Sequence, residues 1–357
     1  MFVYIGTYTK GESKGIYVYR FDPASGKLSP TGQTLMLKHP TFQALHPSGK
    51  YLYSVSEIGD FEGSWTGGVA AMAIDPASGA LKLLSQEASG GAGPCHVSVD
   101  ASGKWCLVAN YSAGSVAMLP INRDGSVGKA TDVVQHEGTG HDPKRQDKPH
   151  AHMIIPSPDN RFAYATDLGL DRVFIYRLDL EQGKLIPHDP PFGKTADGAG
   201  PRHLAFHPNG RYLYCINELD NTITVFGYDA ATGELTPLQA VSTLPEGYRE
   251  TSYCADLRLT ADGRFAYGSN RGHNSIAAFA VDPTTGSLAA LEREPTQGDH
   301  PRNFVIDPSG EYLLVANMNG DNVLTFRIDP ETGALEDLGQ ELSIPKPFCL
   351  TFVATES

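Results

Sequence analysis

The chain has 357 residues, 40% hydrophobic and 19% charged, with 38 Gly, 25 Pro and five Cys. That is a turn-rich globular composition, long enough for a large core, and no apolar run reaches the ~18 residues that would mark a membrane span. A formal net charge of −13 argues against nucleic acid or an anionic membrane as partner, because phosphate binding needs a basic face, although a few arginines can reverse the field locally for a small anion.

In chain order, MFVYIGTYTKGESKG lacks the basic start and apolar core of a secretory signal, and the five cysteines are scattered with no CxxC. The expectation is a reduced, cytoplasmic protein. One pattern then recurs: a short turn with Gly or Asn, followed by alternating apolar residues. It appears at HPSGKYLYSVSE (46–57), DASGKWCLVAN (100–110), SPDNRFAYATD (157–167), HPNGRYLYCINE (207–218), TADGRFAYGSN (260–270) and DPSGEYLLVAN (307–317). The turn residues Gly49, Gly103, Asn160, Gly210, Gly263 and Gly310 lie 47 to 57 residues apart, the period of a propeller with one four-stranded blade per repeat. A second marker, of the type DPASGKL (22–28), occurs seven times, down to DPETGAL (329–335). The first marker shows six copies because the seventh blade is split across the termini, with PFCLTFV (347–353) innermost and FVYIGTYT (2–9) beside it. The expected fold is therefore all-β, one closed seven-bladed β-propeller domain over 1–357, with the split blade removing a free sheet edge.

Within a repeat, alternation and turns set the strand order. PRHLAFHP is the innermost strand, then YLYCINEL, NTITVFGYD and LTPLQAV. A hairpin returns the chain to its starting edge, so the start of each innermost strand meets the end of the second at one mouth of the central channel. The starts supply His39, His96, His150, His152, Arg202, Asp256 and Arg302. The ends supply Glu57, Asn110, Tyr111, Asp167, Asn217, Glu218, Asn270, Arg271 and Asn317. A polar rim around an apolar wheel is a small-molecule site, and the opposite mouth offers no comparable set.

Each member also has a structural reading. His150 and His152 fall on one side of their strand and could chelate a metal with His96 or Asp167, or hydrogen-bond between blades, or contact substrate. Arg202, Arg271 and Arg302 could pair with carboxylates between blades, or converge on an anion, since guanidinium forks match carboxylate and phosphate. The recurring asparagines read as loop caps or as substrate contacts. The cysteines read as packing residues. The loop SEIGDFEGSWTGG (56–68) is a lid over the mouth or an ordinary exposed loop. GTGHDPKRQDKPH (138–150) holds the densest basic cluster.

GTYT (6–9), RQDKPHAH (145–152), AGPRHLAFHPNGRYLYCINEL (199–219), SNRGHNSI (269–276) and HPRNFVIDPSGEYLLVAN (300–317) resemble the seven-bladed propeller lactonase family, also called the cycloisomerase 2 family. The resemblance covers almost the whole chain. It implies a metal-free and cofactor-free site in which His152, Arg202, Glu218 and Arg271 are catalytic. Around them the ring supplies His150, Arg302, His96, Asn110, Asn217 and Asn270 as substrate-binding candidates. The implied reaction is hydrolysis of a small anionic sugar lactone, 6-phospho-D-glucono-1,5-lactone first, with His152 or Glu218 activating water. The same site could instead run a carboxymuconate-type lactonizing cycloisomerisation, or be the polar collar of a non-catalytic binding platform. A monomer or weak homo-oligomer is expected.

Overall fold

A computed structural model describes residues 1–354, and every regular element in it is a strand. The strands form seven four-stranded sheets, each running outward from the innermost strand in the expected order. In blade four the strands are Pro201–Phe206, Tyr212–Asn217, Thr222–Tyr228 and Leu235–Ser242, all paired antiparallel. The innermost strands touch in sequence around the axis, and the last, Pro347–Val353, returns to the first, Gln43–Leu45. Blade seven is shared between the termini, with Phe2 paired to Val353 and Ile5 to Leu350.

The six turn residues all adopt left-handed backbone, with φ from 61° at Asn160 to 80° at Gly310. Asn tolerates this region better than other side-chain-bearing residues, which is why it can replace Gly once in the series.

The second marker has a packing role that its recurrence alone does not reveal. The glycine in each copy lies under the first aromatic ring of the second strand in the preceding blade. The pairs are Phe2–Gly79, Tyr51–Gly125, Trp105–Gly183, Phe162–Gly233, Tyr212–Gly286, Phe265–Gly333 and Tyr312–Gly26. A Cβ on any of these glycines would stand 2.3 to 2.8 Å from the ring. At five joints a tyrosine two residues along adds a hydroxyl bond to the same glycine's carbonyl, as Tyr214 does to Gly286 at 2.9 Å. The two repeat markers are thus the two halves of one blade-to-blade joint, made seven times.

Candidate active site at the channel mouth

The innermost strands begin with a recurring irregularity. Pro94 pairs with Asn110, but the next paired residue is His96, so Cys95 is skipped. The same register shift skips His152, Arg202 and Arg302, and a wider one lies between Cys254 and Leu257. In blade seven it skips Phe348. A bulge adds one residue against the partner strand and re-aims its side chain. Here the extra residues turn into the channel mouth, where Thr41, Cys95, His152, Arg202, Arg302 and Phe348 line a narrow pocket.

A second tier comes from the ends of the second strands. Asn110, Asn217 and Asn317 end their strands and Asn270 lies one residue before the end of its own; all four are fully buried, and their side-chain amides bond away from the mouth. Asn217 donates to Thr222 and Thr224, Asn110 to Ser89 and Ser115, Asn270 to Thr243 and Ser275, and Asn317 to Thr296. Alternation then turns the following residue the other way. Tyr111, Glu218 and Arg271 accordingly face the mouth.

At the centre, one carboxylate holds three guanidinium groups. Glu218 Oε2 contacts Arg202 Nε at 3.0 Å and Arg271 Nη2 at 2.7 Å, while Oε1 contacts Arg145 Nη2 at 2.6 Å. Burial alone would raise the Glu218 pKa, but Arg271, Arg202 and Arg145 overcome it and hold the carboxyl well below the usual carboxylate range. Burial, then Arg302 and Arg271, pull the Arg202 guanidinium down to about 9, still charged at neutral pH. Arg302 differs from the others: its guanidinium lies 4.1 Å from the Phe348 ring centroid and makes no hydrogen bond to any described residue. Glu57 stands in the same field, its pKa raised by burial against the opposing pull of Arg302. Four arginines against two carboxylates leave the mouth positive in an acidic chain.

His152 faces this pocket with its Nδ1 buried and unpartnered. Its ring meets Tyr111 and His203 edge-on at 5.6 and 5.2 Å. Burial first, then Arg202, His203, Arg302 and Arg271, push its pKa well below 6.5, so the imidazole is neutral at pH 7. Beneath it lies a polar floor. Asp256 accepts from His203 Nδ1 at 2.7 Å, Asn303 Nδ2 at 2.6 Å, Arg258 at 3.2 Å and its neighbour's amide, Leu257 N, at 2.9 Å. Asn303 in turn accepts from Leu350 N at 2.8 Å, carrying the floor into blade seven.

Of the predicted residues, His152, Arg202, Glu218, Arg271 and Arg302 do come together. Several others do not. His150 precedes the bulge and does not line the pocket with His152; it stacks on Tyr111 at 4.5 Å and bonds Tyr111 O. His96 sits one residue deeper than its expected position, because Cys95 takes the bulge; it packs on Phe42 and lines a largely apolar recess below the floor that also contains Arg258. Asp167 is a scaffold residue, bonded to His136 and to the amides of His150 and Gly169. His39, at φ 45°, stacks on Tyr8. Asn110, Asn217 and Asn270 are caps between strands, as described above. The opposite recess therefore does hold a histidine and an arginine, although no comparable charged cluster.

Three participants were missed. Arg145 arrives on the long connection between blades two and three, which Gln146 locks by accepting from His141 N and Asp142 N and donating to Leu168 O and Asp171. His203 and Asn303 follow the bulge residues in PRH and PRN, and the shared Pro-x-His/Asn spelling was a usable signal. Among the described residues, no three His, Cys, Asp or Glu side chains cluster in a metal-binding arrangement. All five cysteines are free and buried, and burial pushes the thiols at the mouth up, Cys254 to about 12. The 56–68 loop closes a small Phe61–Ser64 bridge with Trp65 69% exposed, and none of its residues lines the pocket.

A seven-bladed propeller with a histidine, a glutamate and convergent arginines at one channel mouth is an enzyme-type site on a ring scaffold. The chain belongs to the family of seven-bladed β-propeller lactonases, whose sequence profile matches residues 2–352. It is 39% identical to a 6-phosphogluconolactonase of Bacillus subtilis over 98% of this chain and 97% of that protein. It is 36% identical to a 6-phosphogluconolactonase of Formosa agariphila, covering 96% of each. Among solved structures, the periplasmic gluconolactonase of Pseudomonas aeruginosa superposes with a TM-score of 0.94 at 37% identity, covering 99% of both chains. None of the described residues forms a helix long and apolar enough to cross a membrane.

Proposed function

We propose that this protein hydrolyses an anionic sugar lactone, with 6-phospho-D-glucono-1,5-lactone as substrate and 6-phosphogluconate as product. The names of its relatives support lactone hydrolysis. The observation that carries the anionic substrate is Arg302, a guanidinium beside His152 and Arg202 that no acceptor among the described residues satisfies. Its flat seat on Phe348 leaves the fork of N–H groups for an external phosphate.

In this reading His152 is the base and Glu218 is not. Both Glu218 oxygens are occupied by guanidinium groups, and so depressed a carboxylate has little affinity for a proton. Neutral His152 takes a proton from water as the water oxygen bonds to the lactone carbonyl carbon. Negative charge develops on the carbonyl oxygen, where Nη2, the Arg202 nitrogen with no partner among the described residues, meets it. The bond from that carbon to the ring oxygen then breaks, and the proton on His152 passes to the departing oxygen to give the open hydroxy acid. A positioned base of this kind contributes typically ~10²–10⁴-fold. Every group named comes from one chain. A phosphorylated substrate and five free buried thiols suit the cytoplasm.

The test is a rapid pH-indicator assay, corrected for spontaneous opening, on phosphorylated and unphosphorylated gluconolactone and on carboxymuconate. Turnover of a lactone by the wild type, lost in folded His152→Ala and Arg202→Ala, is expected. Full turnover in both variants would refute the assignment. Activity on carboxymuconate alone would make the protein a cycloisomerase, and none on any would make it a binding platform.

A further inference from the structure

We infer that His203 and Asp256 form a positioning pair that fixes the Arg202 guanidinium by locking one histidine tautomer. The inference rests on the lactonase reading for its kinetics and on geometry alone for its structure.

Arg202 is 2% exposed and spends most of its donors on the protein: Nε on Glu218, and Nη1 on both Ala255 O and His203 Nε2, the latter at 3.2 Å. Arginine can only donate. His203 Nε2 must therefore accept, and the ring proton must sit on Nδ1. That proton points at Asp256 Oδ1 at 2.7 Å. Asp256 cannot relax this choice, because its other contacts, Leu257 N, Asn303 Nδ2 and Arg258 Nη2, are also donors. The chain of direction runs from a carboxylate in blade five through an imidazole to a guanidinium in blade four. Only Nη2 is left for the pocket.

The alternative tautomer would place N–H against N–H and push the guanidinium off its seat. His203 borders the pocket and meets the His152 ring edge-on, but both of its ring hydrogen bonds go to Arg202 and Asp256, so it acts on the guanidinium as a positioning residue. A displacement of about 1 Å at such a group is enough for a ~10²-fold loss.

His203→Phe keeps the ring shape and removes both bonds. On the lactone the wild type turns over, its kcat should fall roughly 10²-fold with KM within about threefold, since Arg202 Nη2 acts on charge present only in the transition state. His203→Gln can accept from Arg202 and donate to Asp256, and should recover to within about tenfold of wild type. Equal losses in both folded variants, or no loss in His203→Phe, would overturn the inference. Nitrogen NMR of histidine-labelled wild-type protein gives a test that needs no variant to fold. Protonated Nδ1 and unprotonated Nε2 on His203 at pH 7 are expected, and the opposite tautomer or an imidazolium would overturn it. If the wild type opens no lactone, the functional reading fails, and the tautomer measurement still decides the geometry.

Discussion

Glu218→Gln separates counter-ion from base. The substitution preserves side-chain shape and removes one charge from beneath three guanidinium groups at 2.6, 2.7 and 3.0 Å. Arg202 and Arg271 are almost fully buried, so the loss leaves uncompensated charge in a dry site; breaking such a pair costs about 3–5 kcal/mol. Arg145 is one-third exposed and adds little after solvent screening. Gln still offers one oxygen acceptor, which places the expected loss near the lower bound, about 3 kcal/mol. Urea titrations of wild type and variant measure it, and added inorganic phosphate should restore more stability to the variant, because the mouth gains a net positive charge. The rate should fall through displaced arginines while the acid limb of the pH profile stays in place. A variant as stable as wild type within about 0.5 kcal/mol, with kcat lost and the acid limb abolished, would show that Glu218 is the base.

Arg302→Ala should raise KM for the phosphorylated lactone about 10- to 100-fold, the worth of a charge-assisted bond, and leave the unphosphorylated lactone within about threefold; steady-state kinetics on the pair decides it. Gly233→Ala should destabilise by about 2 kcal/mol or more, since φ is 84° and the new Cβ would lie 2.8 Å from Phe162; Gly210→Ala, at φ 69° with open space around it, should cost about 1 kcal/mol, both read by denaturant melts. His203 is held down to about 4 in the folded chain by burial and Arg202, against 6.5 unfolded. The unfolded chain then binds the extra proton below pH 6.5, so this contribution is complete above 6.5 and lost as pH falls toward 4, on the order of 3 kcal/mol. His152 adds to it with the same sign, and stability measured from pH 7 to 4 should decline accordingly.

The wheel was legible because its turns demand left-handed backbone, and Gly or Asn at that position recurs every 47 to 57 residues. The hairpin arithmetic also brought Arg202 to Glu218, which the structure joins at 3.0 Å. It failed by one residue at His96 and at His150, since a bulge shifts the alternation phase without changing any local composition. The asparagines misled for a related reason: they occupy paired positions at the strand ends, and only the next residue turns inward. Arg145 was out of reach because a long connection has no period to place it, and its lock, Gln146, is a tertiary contact. The floor under Arg202 was hidden in the same way, with Asp256 meeting partners from two other blades and Asn303 linking it to a third.

Six of the aromatic–glycine joints connect units that leave the ribosome one after the other. The seventh sets Tyr312 on Gly26, and it waits for nearly the whole chain. Until Pro347–Val353 is synthesised, Phe2–Thr7 has no inner neighbour and the growing protein is a horseshoe with an open sheet edge. Loss of that C-terminal strand would therefore be felt at the opposite end of the gene product, as an aggregation-prone first strand rather than a missing last one.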